Sequence, residues 1–482
     1  MIRFFCCLSH SLTTTLLVAL AVISSFTASA AENVLPAAVT RALKDAEIPL
    51  QSVGVVVHAV DTDQPLLSIN AAQAMNPASV MKLVTTFAAL ELLGPAYTWS
   101  TELRTDVAPG PNPPIPGDGR LRGNLYVRGS GDPRLALEQF WLMLRQLRDH
   151  GIRDIDGDLV LDRSAFALPV HDPAEFDNEP LRPYNAGPDA LMVNLKSVSL
   201  ILHADNERQQ VLVFSQTPSE NLRIVNRLKL TVDACGDWRE RFSTTTSGDE
   251  IDLAGTFSAN CGDKALYLSP WPADRQVDKL FRALWRELGG SLHGQVRAGA
   301  TPPDAQLLAV HESPALSEVA REINKYSNNV MARQLFLSLD AQRPATPQGA
   351  DRRVQAWLAE KNLTMPELML ENGSGLSRSE RLSADGLSRL LRAAWASPVM
   401  PEFIASLPLA GSDGTLRRRL GDNGIVGRAH LKTGYLNGVR AIAGYVQDSH
   451  DRRWVVVFLI NDPRSGAGKP AMDELLRWVA AR

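Results

Sequence analysis

The chain has 482 residues, 45% of them hydrophobic and 21% charged, with 50 Lys and Arg against 53 Asp and Glu. This length sets an expectation of about two to four domains with a substantial core. The composition excludes a disordered tail protein, a collagen-like fibre and a multi-span membrane protein. A formal charge of −3 with no basic stripe gives no footing for nucleic-acid binding, and Arg417-Arg418-Arg419 reads as a solvated helix face.

In chain order, Arg3 precedes an apolar stretch over residues 12–23, and Ala28-Ser29-Ala30 supplies a small-x-small cleavage pattern. Residues 1–30 therefore read as a signal peptide and the mature chain as starting at Ala31. The apolar stretch falls short of the roughly 20 residues that span a bilayer as a helix. Cys6 and Cys7 precede it, so they do not form a lipoprotein attachment site. In the exported part, Cys235 and Cys261 read most simply as one disulfide closing a local loop. No CxxC or HExxH accompanies them and the histidines are scattered singly, so metal catalysis has no support.

Residues 35–46 carry helical spacing of apolar side chains, 53–60 form a β-branched strand run, and Asp61-Thr62-Asp63-Gln64 turns into a second strand near 66–69. Residues 78–93 pattern as a helix opened by Pro77 and closed by Gly94-Pro95. Near the other end, 430–433, 441–447 and 454–460 have the spacing of antiparallel strands, followed by a helix from 471 onward. One sheet built from both termini is expected. Leu475, Leu476 and Val479 give that last helix an apolar face, read as packed on the sheet rather than as an interfacial anchor. The middle differs: a Pro/Gly-rich stretch at 109–116, then short β-like runs at 121–127, 158–161, 198–202, 210–214, 228–232 and 266–268. Only 136–148 and 277–288 read clearly as helices there. A β-rich region inserted into a terminal-to-terminal domain fits this order.

Three short motifs carry candidate chemistry. In Ser79-Val80-Met81-Lys82, residues three apart share a helix face. The serine lies near a helix N-terminus, which favours developing negative charge. Met81, Leu83 and Val84 would desolvate Lys82, and a desolvated lysine loses its proton easily enough to act as a base for the hydroxyl. Lys432-Thr433-Gly434 lies at a strand edge, where the glycine admits close approach and the ammonium and hydroxyl suit a carboxylate. Ser327-Asn328-Asn329 falls in the link between helices expected at 315–325 and 330–337. Taken alone it is also a plain helix cap.

Together, in this order, the three motifs resemble those of the penicillin-recognising serine enzymes. Gly129-Ser130-Gly131-Asp132-Pro133, the stretch 184–194, Asn372-Gly373-Ser374-Gly375-Leu376-Ser377-Arg378, and the run from Leu407-Pro408 to Gly414-Thr415-Leu416 extend the likeness. They are similar to the D-alanyl-D-alanine carboxypeptidase/endopeptidase family typified by penicillin-binding protein 4, peptidase family S13, over essentially the whole mature chain. The resemblance implies an α/β (α+β) fold: a serine transpeptidase/β-lactamase-like domain with a central antiparallel sheet flanked by helices. Two β-rich inserted domains would sit in the long interval between Ser79 and Ser327. The implied division is a catalytic domain over 31–103 and 302–482, an insert over 104–190 and 265–301, and a second insert, 191–264, nested in the first.

The resemblance also implies roles. Ser79 is the acylated nucleophile and Lys82 its base; Ser327 and Asn329 shuttle the proton and position the peptide. Lys432 and Thr433 hold the terminal carboxylate beside Gly434, and the backbone N–H groups of Ser79 and Tyr435 form the oxyanion hole. Tyr435 departs from the family's usual Thr or Ser. Arg378, Tyr184 and an acid among Asp177 and Glu179, with Asn437 as a further contact, match the family's contacts to a diaminopimelate side chain. No cofactor is implied. The expected substrates are peptidoglycan stem peptides ending in D-Ala-D-Ala, with β-lactams as covalent inhibitors. The expected location is the periplasm of a Gram-negative cell, with at most loose membrane association. Two rivals stay open: a β-lactamase using the same serine and lysine, and a wall-binding relative that has lost activity. A general esterase is weaker, since no serine sits in Gly-x-Ser-x-Gly.

Overall fold

The computed structural model describes residues 34–107, 117–421 and 424–482. The expected signal peptide and the Pro/Gly-rich stretch at 109–116 lie outside the described residues. Strands from the two ends of the chain form one five-stranded antiparallel sheet in the order Ala429–Leu436, Val439–Gln447, Arg453–Asn461, Val53–Ala59 and Leu67–Ile69. Successive side chains of a strand face opposite sides, and here both sides are covered. Val455, Val457 and Leu459 join a core with the Lys82–Leu92 helix. Val456, Phe458 and Ile460 join another with the terminal helices Ala37–Asp45 and Lys469–Ala480. That double coverage is why these strands read as continuous apolar runs. Leu475, Leu476 and Val479 are fully buried in the second core, as expected of a helix packed on the sheet.

Residues 82–90 are buried all round, so Lys82–Leu92 is a central helix, enclosed by the sheet and the helices Leu316–Tyr326, Asn329–Ser338, Pro347–Glu360, Ala384–Trp395 and Met400–Ser406. A helix apolar on every face is stable only in such a place. Its first turn differs from expectation: Ala78–Met81 is a 3-10 turn, and the α-helix begins at Lys82.

A second five-stranded sheet runs Val296–Ala298, Leu159–Asp162, Leu125–Gly129, Ser100–Thr105, Gln306–Glu312, with its own core beneath the helices Leu137–Asp149 and Ala273–Glu287. The single run expected at 121–127 is two strands, Arg120–Leu121 and Leu125–Gly129, in different sheets. Farther out, two three-stranded sheets draw all their strands from between Val198 and Leu268 and share one core. The Cys235–Cys261 disulfide is formed there. Two strands in this part, Phe242–Ser247 and Glu250–Ser258, are absent from the sequence reading. Ile251, Leu253 and Phe257 alternate inward in the second, a period-two signal that would have found it. The Arg417–Arg419 run is a turn, not a helix face: Arg417 and Arg418 are exposed, and Arg419 is drawn inward onto Asp473 at 2.6 Å.

Candidate active site

Ser79 sits on a backbone held in an unusual shape. Ala78, just before it, has φ +47°, a left-handed conformation that costs a non-glycine residue about 1–2 kcal/mol and persists only where its surroundings enforce it. The enforcement is visible. Asn76 Oδ1 accepts the Ala78 N–H at 2.9 Å, and Asn76 is clamped by Asn461 through paired amide contacts of 2.7 and 3.0 Å. In a 3-10 turn residues i and i+3 lie in line, which brings Lys82 Nζ to 3.0 Å from Ser79 Oγ. The serine is partly exposed while Lys82 is fully buried.

Lys82 Nζ also donates to Asn329 Oδ1 at 2.6 Å and to the Ser374 carbonyl. Burial chiefly, then the Lys432 ammonium and the Arg333 guanidinium, push the Lys82 amine well below the ordinary lysine range; the Glu380 carboxylate opposes them. Lys432 is equally buried, donates to Ser327 Oγ at 2.9 Å and to the Thr433 carbonyl at 2.7 Å, and is brought down to about 7 by burial. The 327–329 link joins the two lysines. Ser327 ends its helix at φ +57°, and Asn328 caps the next helix by accepting the Met331 N–H at 3.1 Å. The cap falls on Asn328, leaving Ser327 on Lys432 and Asn329 on Lys82.

Two glycines let the walls close on the serine. A Cβ at Gly434 would meet the Pro77 carbonyl at 2.8 Å, so only this residue lets the edge strand lie against the Ser79 turn. Gly375, at φ +77°, brings residues 372–378 to the other side. That loop is shaped by residues the sequence reading missed. Buried Glu380 accepts the N–H groups of Glu371, Asn372 and Gly373 at 3.2, 3.0 and 2.9 Å, and Thr85 Oγ1 donates to the Gly373 carbonyl at 2.6 Å. Ser374 is thereby set to present its carbonyl to Lys82.

The remaining candidates gather on one flank. Arg378 stacks 4.4 Å over Phe176 and donates to the Asn437 carbonyl at 3.2 Å. Phe176 in turn packs against Ala78, Leu376, Leu436 and Val439. Next to it in sequence, Asp177 accepts from Tyr184 Oη at 2.8 Å and from Asn185 at 2.7 Å; burial and this carboxylate push the Tyr184 phenol up to about 12. Glu179 instead pairs with Arg182 at 3.1 Å, so Asp177 is the acid placed with Tyr184. Thr433 Oγ1 shares a 2.9 Å hydrogen bond with Thr415, and Tyr435 lies exposed with Arg440 4.6 Å above its ring. Among the described residues, no group of three or more His, Cys, Asp or Glu is placed to hold a metal, and no helix is long and apolar enough to cross a membrane.

Comparison with known proteins sets this geometry in a family. The model of the D-Ala-D-Ala carboxypeptidase 3 (S13) family matches residues 35–482. The chain is 30% identical to a D-alanyl-D-alanine carboxypeptidase of Actinomadura sp. (strain R39), over 88% of this chain and 80% of that protein. It is 25% identical to the D-alanyl-D-alanine carboxypeptidase DacB of Haemophilus influenzae, with 86% of each covered. The crystal structure of penicillin-binding protein 4 (dacB) from H. influenzae matches with a TM-score of 0.74 at 24% identity, covering 91% of this chain and 99% of that one. The same protein complexed with a β-lactam gives 0.72 at 23% identity, covering 92% and 99%. The fold is accordingly the serine transpeptidase-like one with extra domains. With its family model matched from residue 35 to the last residue, the chain belongs to peptidase family S13, the serine-type D-Ala-D-Ala carboxypeptidases.

Proposed function

We propose that this carboxypeptidase is exported and works in the periplasm on peptidoglycan stem peptides through a Ser79 acyl-enzyme, and that it also cuts D-alanyl–diaminopimelate cross-links. The observation that carries the reading is the hydrogen-bond arithmetic at Lys82. A neutral amine has two N–H donors and one lone pair. Asn329 Oδ1 and the Ser374 carbonyl can only accept, so they take the two donors, and the lone pair is left for the Ser79 hydroxyl 3.0 Å away. Burial and two neighbouring cations push the amine toward that neutral form.

The steps follow from that arrangement. The Ser79 hydroxyl passes its proton to Lys82 and Oγ attacks the carbonyl before the terminal D-alanine. The oxyanion forms against the N–H groups of Ser79 and Tyr435. Ser327, bonded to Lys432, hands its proton to the leaving amine as the C–N bond breaks and is reprotonated from the Lys82 ammonium, which returns Lys82 to the neutral amine; water later adds to the acyl group and leaves its second proton on Ser79. Lys432 and Thr433 hold the terminal carboxylate, and Asn329 steadies the peptide. Arg378, Tyr184, Asp177 and Asn437 take the diaminopimelate side chain on the Phe176 flank. The catalytic unit is 31–103 with 302–482, and the inserts are 104–190 with 265–301 and 191–264. In support, five of the six strands of the two outermost sheets fall inside the nested segment, while Lys264–Leu268 runs past its border. The second five-stranded sheet draws Ser100–Thr105 and Gln306–Glu312 from across the proposed borders. Export rests on the N-terminal signal pattern.

Intact mass after incubation of residues 31–482 with benzylpenicillin, beside Ser79→Ala, tests the acyl-enzyme. A stable adduct of one penicilloyl group, absent in the variant, is the expected result. Rapid penicillin hydrolysis without an adduct would favour a β-lactamase, and neither adduct nor hydrolysis would favour an inactive wall-binding protein.

A further inference from the structure

Beside Thr433, on the opposite side of the edge strand from Lys432, lies an open recess of about 310 Å³ whose lining includes Thr415, Arg418, Thr433, Tyr435, Arg440 and Lys469. Its lining contains no acidic residue. Arg419, also at its wall, is neutralised by Asp473 at 2.6 Å, with both side chains nearly buried. The other three cations are not so matched: among the described residues neither Arg418 nor Lys469 has an ion-pair partner, and Arg440 Nε is buried without a hydrogen bond. Like charges gathered round one concavity repel each other, and they persist together most readily where an anion is to be received. Thr433 is shared by this recess and the carboxylate site of the proposed function, and its hydrogen bond to Thr415 ties the two together.

We infer that this recess is a leaving-group subsite for carboxylates beyond the one held at Lys432 and Thr433. The inference rests on the proposed function and names a substrate preference within it. When free D-alanine leaves, it carries a single carboxylate, and the recess has nothing to bind. When the leaving amine belongs to a second stem peptide, the carboxylate next to that amine occupies the Lys432–Thr433 site. The rest of the peptide, with further carboxylates, runs onward to Arg418, Arg440 and Lys469. The recess therefore favours cross-linked substrates over uncross-linked ones.

The test compares the full enzyme with Arg418→Gln/Lys469→Gln, two exposed positions outside the catalytic network. Three reactions are followed: benzylpenicillin acylation, D-alanine release from a pentapeptide, and cleavage of a synthetic cross-linked dimer. Two partly exposed charge contacts amount to about a tenfold change together. The expected result is a loss of about tenfold in kcat/KM for the dimer, carried mainly by KM and shrinking as salt is raised, with the other two rates within about twofold of the parent. Equal losses on dimer and pentapeptide, or no loss on either, would overturn the subsite. If the parent is acylated and releases D-alanine while the variant cuts the dimer normally, only the subsite fails. If the parent is not acylated at all, the proposed function fails with it.

Discussion

Replacing Gly375 by alanine tests whether close packing, rather than the motif residues alone, sets the position of Ser79. Two costs are separable. Gly375 lies at φ +77°, so a side chain there meets the left-handed penalty of about 1–2 kcal/mol. Its Cβ would also fall 1.9 Å from the Ala78 carbonyl oxygen and 2.8 Å from Ser79 Cα. Ordinary contact begins near 3.4 Å, so the carbonyl must retreat by about 1.5 Å or the 372–378 loop must lift. Either response is damaging. Ala78 is already at φ +47° and held by Asn76, so its retreat carries Ser79 with it, while lifting the loop withdraws the Ser374 carbonyl from Lys82. A misplacement of about 1 Å at a reacting group costs on the order of a hundredfold in rate. The second-order acylation rate with benzylpenicillin should fall by about that factor in Gly375→Ala. Gly289→Ala serves as the control: φ is +74° and its Cβ position is open, so it carries the backbone penalty without the overlap. It should lose about 1 kcal/mol of stability and acylate normally. Acylation of Gly375→Ala within about threefold of the parent, or equal impairment of both variants, would refute the reasoning.

Three further outcomes follow from the same network. Lys82→Arg puts in place of the amine a cation that does not release its proton and should cut acylation by about 10³-fold or more, within the span of general-base effects; substantial residual acylation would remove Lys82 as the base. Since burial brings Lys432 to about 7, its positive charge is present below that pH and lost above it. For the free enzyme, kcat/KM toward a peptide with a free terminal carboxylate should therefore fall as pH rises through about 7, and the fall should vanish for the same peptide amidated at its C-terminus. An identical alkaline limb for both peptides would detach Lys432 from carboxylate binding. The Cys235–Cys261 bridge joins cysteines 26 positions apart, far from Ser79 in sequence. Its removal by a double serine substitution should destabilise by about 2–4 kcal/mol, seen as earlier urea unfolding, while leaving the benzylpenicillin acylation rate unchanged.

The residues that could be read from sequence are those whose relation is local or periodic. Ser79 and Lys82 are three apart, so any helical turn brings them together. The terminal strands announce themselves as β-branched runs because both faces of their sheet are buried. The supports of the site obey no such rule. Asn76 is clamped by Asn461 from the opposite end of the chain, Glu380 works through backbone N–H groups of its own loop, and Phe176 reaches Arg378 from an insert. Their signal lies in tertiary approach, which single-sequence periodicity cannot carry. The Phe242–Ser247 strand was hidden for a different reason: its side chains are Ser and Thr after Phe242 and mostly exposed, so no apolar alternation marks it. Even at Ser79 the local geometry was only half legible. An α-helical start was expected, whereas the chain forms a 3-10 turn entered through a left-handed Ala78. Asn76 starts that turn locally by accepting the Ala78 N–H, and Asn461, Gly375 and Gly434 hold it from far along the chain. The Ser79–Lys82 pair is thus written in one short motif, while much of its alignment is written in residues about 300 to 400 positions away.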